Sequence, residues 1–194
     1  MNNNPKRLLP IIGVAGGSGC GKSTIIQALK QISTLPLTSI SLDSYYRDLS
    51  HLPLKERSAV NFDHPDALDI DLVVKQLQQL AQHEEIHVPD YDFTIHNRRG
   101  SHTIQPKQAI VIEGTLVLSI PPIRDRLDDS IFIDTPDDIR LIRRLLRDRK
   151  ERGRSLEFSI QHYMQTVRPM YHEWIAPCKH KADTILDGMN EIQD

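Results

Sequence analysis

Residues 16–23 read Gly16-Gly17-Ser18-Gly19-Cys20-Gly21-Lys22-Ser23 and satisfy the pattern G-x-x-x-x-G-K-S/T. Few short stretches restrict a fold as much. Its glycines let successive backbone N–H groups turn inward toward phosphate oxygens. The following helix must aim the positive end of its dipole at the same place. Lys22 then reaches the outer phosphates and Ser23 can hold a Mg2+ ion. The pattern carries this meaning only between a strand and a helix, and the sequence predicts both. Residues 8–15 are an apolar run that reads as a buried strand, with Pro10 near its start. Ile25, Ile26, Leu29 and Ile32 then recur at helical spacing. A glycine-rich turn that matches by chance is the plainer alternative. The loop predicts nucleoside triphosphate binding and names no reaction.

The rest of the chain continues the alternation. Residues 37–42 alternate apolar and polar, as a strand does. Leu68, Leu72, Val73, Leu77 and Leu80 predict a second long helix. Residues 109–112 and 131–133 read as buried strands, 139–150 and 156–174 as helices, and 184–186 as a last short strand. Strands separated by helices imply an α/β fold with a mostly parallel sheet and helices on both faces. Residues 86–104 break the rhythm: Val88, Tyr91, Phe93 and Ile95 lead into polar Asn97-Arg98-Arg99-Gly100-Ser101. That pattern suits a hairpin inserted at the edge of the sheet. With no repeat, 194 residues suit a single domain, 1–194.

Charge narrows the partners. Lys plus Arg is 24 against 26 for Asp plus Glu, a net charge of −2. A protein devoted to coating nucleic acid carries a large positive excess, so a nucleic-acid partner is not expected. No apolar run reaches the length of a membrane span, so no membrane partner is expected either. Lys6 and Arg7 precede an apolar stretch, which leaves a signal peptide as an alternative, but that stretch runs straight into the glycine loop. Cys20 and Cys178 form no disulfide framework and fit a reduced, cytoplasmic setting.

Locally the charge is far from balanced. Residues 140–154 hold eight basic side chains against only Asp148 and Glu151, a net of +6. Seven of the eight are arginines, whose forked donors match phosphate oxygens. Gly153 between Arg152 and Arg154 suggests a lid that closes on the triphosphate and excludes water. A solvated basic helix face is the alternative, and Arg140 and Arg149 are expected to be simple surface charges. Glu113 ends an apolar strand, where a carboxylate beside a phosphate loop orients Mg2+ or its water shell.

Further segments narrow the class. They are Asp43-Ser44-Tyr45-Tyr46, Phe62-Asp63-His64-Pro65, Tyr91-Asp92-Phe93, Ile112-Glu113-Gly114 and Glu151-Arg152-Gly153-Arg154. In this order, with the phosphate loop, the chain from about 11 to about 186 resembles the uridine kinase (uridine-cytidine kinase) family of P-loop kinases. The resemblance implies a P-loop kinase fold with an inserted substrate hairpin at about 86–105 and an Arg-rich lid at about 147–156. It implies a catalytic aspartate at Asp43, beside the nucleoside 5′-hydroxyl, with Lys22 and Arg147 as its catalytic partners. Donor binding falls to Gly16, Gly17, Ser18, Gly19, Cys20, Gly21, Lys22, Ser23, Thr24 and Arg147, with Mg2+ on Ser23 and Glu113. Tyr46 is then expected to line the sugar site and Asp63 to bind the ribose hydroxyls. Tyr91 and His96 are expected to hold the pyrimidine, with Arg144, Arg152, Arg154 and His162 around phosphates and nucleoside.

The chemistry of these residue types agrees. A hydroxyl acceptor gains from a carboxylate that orients it and takes its proton. An acceptor-only group such as Asp63 suits a diol. On residue type alone, however, Asp43 suits a turn, Asp63 the cap of the next helix, Tyr91 ordinary packing and His96 solvent.

Two features depart from the family. His162 stands where the family commonly has a glutamine, which leaves the pyrimidine preference open. Residues 186–194 also lack the proline-arginine-glycine-glycine type loop and further helix expected after the last strand. Donor choice between ATP and GTP, and the subunit contacts, are therefore open. The expected activity is transfer of the γ-phosphoryl of ATP or GTP to the 5′-hydroxyl of uridine or cytidine, giving UMP or CMP, by a homo-oligomer that the resemblance makes a tetramer. The alternatives are a related kinase with another acceptor, such as a phosphoribulokinase-like or pantothenate kinase-like enzyme, and a non-catalytic nucleotide-binding regulatory module.

Overall fold

The computed structural model describes residues 8–189. Lys6 and Arg7, which prompt the signal-peptide alternative, and residues 190–194 of the departing C-terminus lie outside the described residues. In chain order the elements are β1 (Ile11–Ala15), α1 (Lys22–Ile32), β2 (Leu37–Ser41), a one-turn α2 (Leu54–Arg57), α3 (Ile70–Ala81), β3 (Ile86–Asp92), β4 (Asn97–Ile104), β5 (Ala109–Glu113), a one-turn α4 (Pro121–Arg124), β6 (Asp129–Asp134), α5 (Asp137–Arg152), α6 (Leu156–His162) and β7 (Thr184–Asp187). After α6 the chain stays helical through two π-helical turns, Tyr163–Val167 and Tyr171–Ile175. Pro169 between them has no N–H to donate, and the widened turns accommodate it.

Five strands form one sheet in the order β2-β5-β1-β6-β7, and every neighbouring pair is parallel. Alternation along the strands feeds two cores. Ile11 and Ala15 of β1, Ile110 and Ile112 of β5 and Phe132 of β6 face the larger core with Val73, Leu77 and Leu80 of α3. Val14, Val111 and Ile133 face the other core with Ile26 of α1. Strands covered on both faces read as continuous apolar runs, as these do. Each fully buried Leu of α3 contributes about 1.5–3 kcal/mol by leaving water.

The parallel sheet sends the carboxyl ends of β1, β2 and β5 to one edge, where ligands collect in such folds. The hairpin differs from expectation. β3 and β4 pair only with each other, as a separate antiparallel ribbon. Side chains, not ladder hydrogen bonds, attach it to the body. Arg98 donates to the Tyr46 carbonyl at 2.8 Å and pairs with Asp69 at 3.1 Å. Buried Asn97 accepts from the Leu49 N–H at 2.8 Å. Buried Gln76 of α3 accepts from the Tyr45 hydroxyl and donates to the His87 carbonyl, both at 2.8 Å.

Candidate active site

Residues 16–21 wrap between β1 and α1. Gly19 has φ +81°, and a side chain there would run into the Arg140 carbonyl, so only glycine fits. No side chain caps α1, which leaves its first N–H groups facing the loop. Lys22 lies across the loop, its Nζ 3.0 Å from the Gly16 carbonyl and 3.3 Å from that of Gly17. Beneath the loop sits Arg140, only 1% exposed. It donates to the Thr135 carbonyl at 3.0 Å, pairs with Asp137 at 2.5 Å and stacks 3.7 Å over the Tyr171 ring. The expectation of a surface charge is therefore wrong for Arg140. The loop and a ring thirty-one positions away enclose it, while Arg149 is exposed as expected.

Asp43 follows β2 on a 3₁₀ turn, Leu42–Tyr45, and the cap of that turn is the Ser41 hydroxyl. Asp43 is thus free of the capping role that its residue type allowed. Its Oδ1 accepts from the Tyr46 hydroxyl at 3.5 Å. Glu113, at the end of β5, shares the cavity with Ser23 and Asp43. Burial raises its pKa, and the Lys22 ammonium and a hydrogen bond from Ser41 oppose that rise.

Asp63 also escapes a capping role, because His64 caps the short 3₁₀ turn that follows and Asp69 caps α3. Burial raises the Asp63 pKa, with nearby Asp43 adding and Arg144 opposing. An aromatic slot stands beside it. Tyr46 lies 5.1 Å from Phe62 and 5.0 Å from Tyr91, between ring centroids. Phe62 stacks on His96 at 5.3 Å with planes 17° apart. His96 takes a positive φ of 50° at the hairpin tip. Burial, then Arg154 and Arg152, lower its pKa, so the ring stays neutral near pH 7.

Arginines of α5 and of the turn after it complete the site. Arg144 donates to the Ser18 hydroxyl at 2.7 Å and lies 3.3 Å from His162 Nδ1. Arg147 reaches the same hydroxyl at 3.5 Å. Burial, above all, lowers the pKa of Arg144 and of Arg152. His162 stacks on Phe158 with planes 6° apart, and burial, then Arg144 and Arg154, push its pKa down to about 4. An arginine only donates, so the Nδ1 facing it accepts.

One cavity of about 540 Å3 joins these parts. Ser18, Gly19, Gly21, Lys22, Ser23 and Thr24 line it from the loop and α1. Asp43, Tyr46, Asp63, Tyr91, His96 and Glu113 line it as well, with Arg144, Arg147, Arg152, Arg154 and His162. Gly16, Gly17 and Cys20 do not line it; the Cys20 side chain is buried behind the loop. Phe62, Phe93 and Phe158 line it too, although the motifs assign them no site role. The signal for Phe158 was its place four residues before His162, on the same helix face.

A parallel sheet with a phosphate loop on its middle strand, and carboxylates and arginines at its carboxyl edge, defines a P-loop kinase fold. Phosphoribulokinase from Rhodobacter spheroides has this fold: it superposes with a TM-score of 0.66 at 16% identity, over 95% of this chain and 74% of that one. The chain belongs to the phosphoribulokinase / uridine kinase family, whose model matches residues 11–193. The uridine kinase of Ligilactobacillus salivarius is 48% identical over 185 residues, 94% of this chain and 87% of that protein. The uridine kinase of Lactiplantibacillus plantarum is 45% identical over 196 residues, 99% of this chain and 94% of that protein.

Proposed function

We propose that the protein is a uridine/cytidine kinase of pyrimidine salvage, moving the γ-phosphoryl of a nucleoside triphosphate to the nucleoside 5′-hydroxyl. One observation carries the reading: a single cavity is lined by the phosphate loop, Asp43, Asp63 and an aromatic slot. That set of groups suits triphosphate, attacking hydroxyl, ribose diol and flat base. Asp43 orients the 5′-hydroxyl and takes its proton as the bond to phosphorus forms. Lys22, Arg147 and the loop N–H groups neutralise charge on the transferred group. Asp63 accepts from the ribose hydroxyls, and Tyr46, Phe62, Tyr91 and His96 hold the base. Arg144, Arg152, Arg154 and His162 complete the wall over sugar and phosphates.

ATP is the donor, and GTP is the second donor to test. The residues also fit Mg2+. Ser23, Asp43 and Glu113 present oxygens only, and Glu113 is a carboxylate that burial leaves short of water. A site with one hydroxyl and one or two carboxylates suits an ion that keeps waters and substrate phosphates as its other ligands. Ser23 and Glu113 would hold it, and what it supplies there is neutralisation of phosphate charge. No helix among the described residues is long and apolar enough to cross a membrane. We further propose that the enzyme works in the cytoplasm as a homo-oligomer, a tetramer by its family resemblance, with no nucleic-acid or membrane partner.

The test is an acceptor screen with the purified protein, ATP or GTP, and Mg2+. Uridine or cytidine should be phosphorylated. Turnover with ribulose 5-phosphate or pantothenate, and none with either nucleoside, overturns the reading.

A further inference from the structure

Asp148 is a buried carboxylate, 1% exposed, inside the most basic stretch of the chain. Four guanidinium groups surround it: Arg147 at 3.1 Å, Arg144 at 3.5 Å, Arg152 at 3.6 Å and Arg154 at 3.9 Å. Arg144 and Arg152 stand four residues to either side of Asp148 on α5, and Arg147 is its neighbour in the chain. The fourth needs a turn. Gly153 ends α5 with φ +60°, the Arg154 N–H bonds back to the Asp148 carbonyl at 3.1 Å, and the Arg154 side chain returns to the same carboxylate.

We propose that Asp148 is a positioning residue for phosphoryl transfer, its carboxylate gathering Arg144, Arg147, Arg152 and Arg154 at set spacings over the cavity. The inference rests on the kinase reading above. One carboxylate against four guanidinium groups leaves an excess of positive charge, which Asp63 offsets only in part, facing the cavity, where an anionic ligand is expected. The hub is also loose enough to serve a ligand. Asp148 Oδ2 and Arg144 Nε, both buried, face each other at 3.5 Å without closing a hydrogen bond, so the carboxylate holds Arg144 by charge and leaves room for it to shift.

The four arginines do not depend on it equally. Arg144 has Ser18 and His162 as further anchors. Arg152 lies 4.8 Å over Phe93, and Arg154 lies 5.4 Å over Phe158. Arg147, partly exposed, has a long 3.5 Å contact to Ser18 and the more distant charge of Asp63 besides Asp148. Loss of the carboxylate therefore falls hardest on Arg147.

The experiment is a double-mutant cycle on the full chain, joining Asp148→Asn with Arg147→Met, and a second cycle with Arg144→Met. Asp148→Asn should lower kcat about 30-fold, with the nucleoside KM changing less than about threefold. In the Arg147→Met background the same change should cost less than about threefold, whereas in the Arg144→Met background most of its cost should persist. Equal cost in all backgrounds overturns the proposal, as does a folded Asp148→Asn protein with parental kcat. If Asp148→Asn does not fold, Asp148→Glu keeps the charge and displaces it by one methylene. A lowered kcat that Arg147→Met masks then supports the proposal, and parental kcat overturns it. Turnover is read on whichever acceptor the parent protein uses. A parent that phosphorylates some other hydroxyl overturns the nucleoside reading and leaves the cycle intact.

Discussion

On the proposed function, the donor side and the acceptor side of the cavity are built in opposite ways. The donor side is one contiguous run, residues 16–24, shaped by backbone and fixed from below by Arg140 and by Thr135, whose hydroxyl donates to the Cys20 carbonyl at 3.1 Å. The acceptor side comes from separate segments: Asp43 and Tyr46, Phe62 and Asp63, the hairpin tip, the end of α5, and α6. Side-chain contacts hold these together, including the Arg98 bond to the Tyr46 carbonyl and the Gln76 bridge. A contiguous cradle concentrates function in few atoms, so one substitution can abolish turnover. A dispersed wall shares the work, so its substitutions should be graded and separable.

Lys22→Met tests the first half of that contrast. It should lower kcat about 10³-fold, the upper end for removing one charge-stabilising donor, with thermal unfolding unchanged within a few degrees. Asp43→Asn sits at the junction of the two sides. It should lower kcat by about 10²–10⁴-fold while triphosphate binding, measured by calorimetry, stays near parental. Full activity in the Asp43→Asn protein overturns its role as the group that accepts the hydroxyl proton.

Arg98→Met tests the dispersed half. Arg98 does not itself line the cavity, yet it fastens the hairpin to the turn that carries Tyr46. We expect the nucleoside KM to rise about tenfold with the ATP KM nearly unchanged, and stability to fall by about 1.5–3 kcal/mol, the range for a hydrogen bond to a charged group. Steady-state kinetics with each substrate varied in turn gives both values. Equal rises in the two KM values show that the sides are not separable.

The same division decided what could be read from sequence. The phosphate loop and its flanking strand and helix follow from local pattern, because glycine chemistry and hydrophobic period act over a few residues. The parallel sheet followed too, since β1, β5 and β6 are apolar on both faces. The hairpin's strands were readable from period-two alternation, but not its place. Alternation does not say what a ribbon pairs with, and here Arg98, Asn97 and Gln76 attach it without any ladder bond to the sheet. Arg140 looked like one more surface charge in a basic run because Gly17 and Tyr171, which cover it, are far away in the chain. Asp148 looked like a minor counter-charge for a similar reason. Only the turn at Gly153 brings Arg154 back and makes it a hub.

His162 gives the subtlest test of the contrast, because it belongs to the dispersed wall and titrates within reach of experiment. Its pKa falls from an ordinary 6.5 to about 4, first through burial and then through Arg144 and Arg154. The folded protein therefore keeps His162 neutral at pH values where the unfolded chain has already taken up the proton. More protons on the unfolded chain mean that stability falls as pH drops, here between about 6.5 and 4, with no contribution above that window. Asp63 and Glu113 act with the opposite sign, because their raised pKa values let the folded state take protons first. The difference between the parent and His162→Gln removes their common effect. Urea midpoints measured from pH 4 to pH 7.5 should show a shallower acid-side loss for His162→Gln, with the two curves parallel above pH 7. Curves parallel throughout the range would mean that His162 takes its proton in the pocket as readily as in water, and that the arginines around it do not hold the acceptor wall in a single charge state.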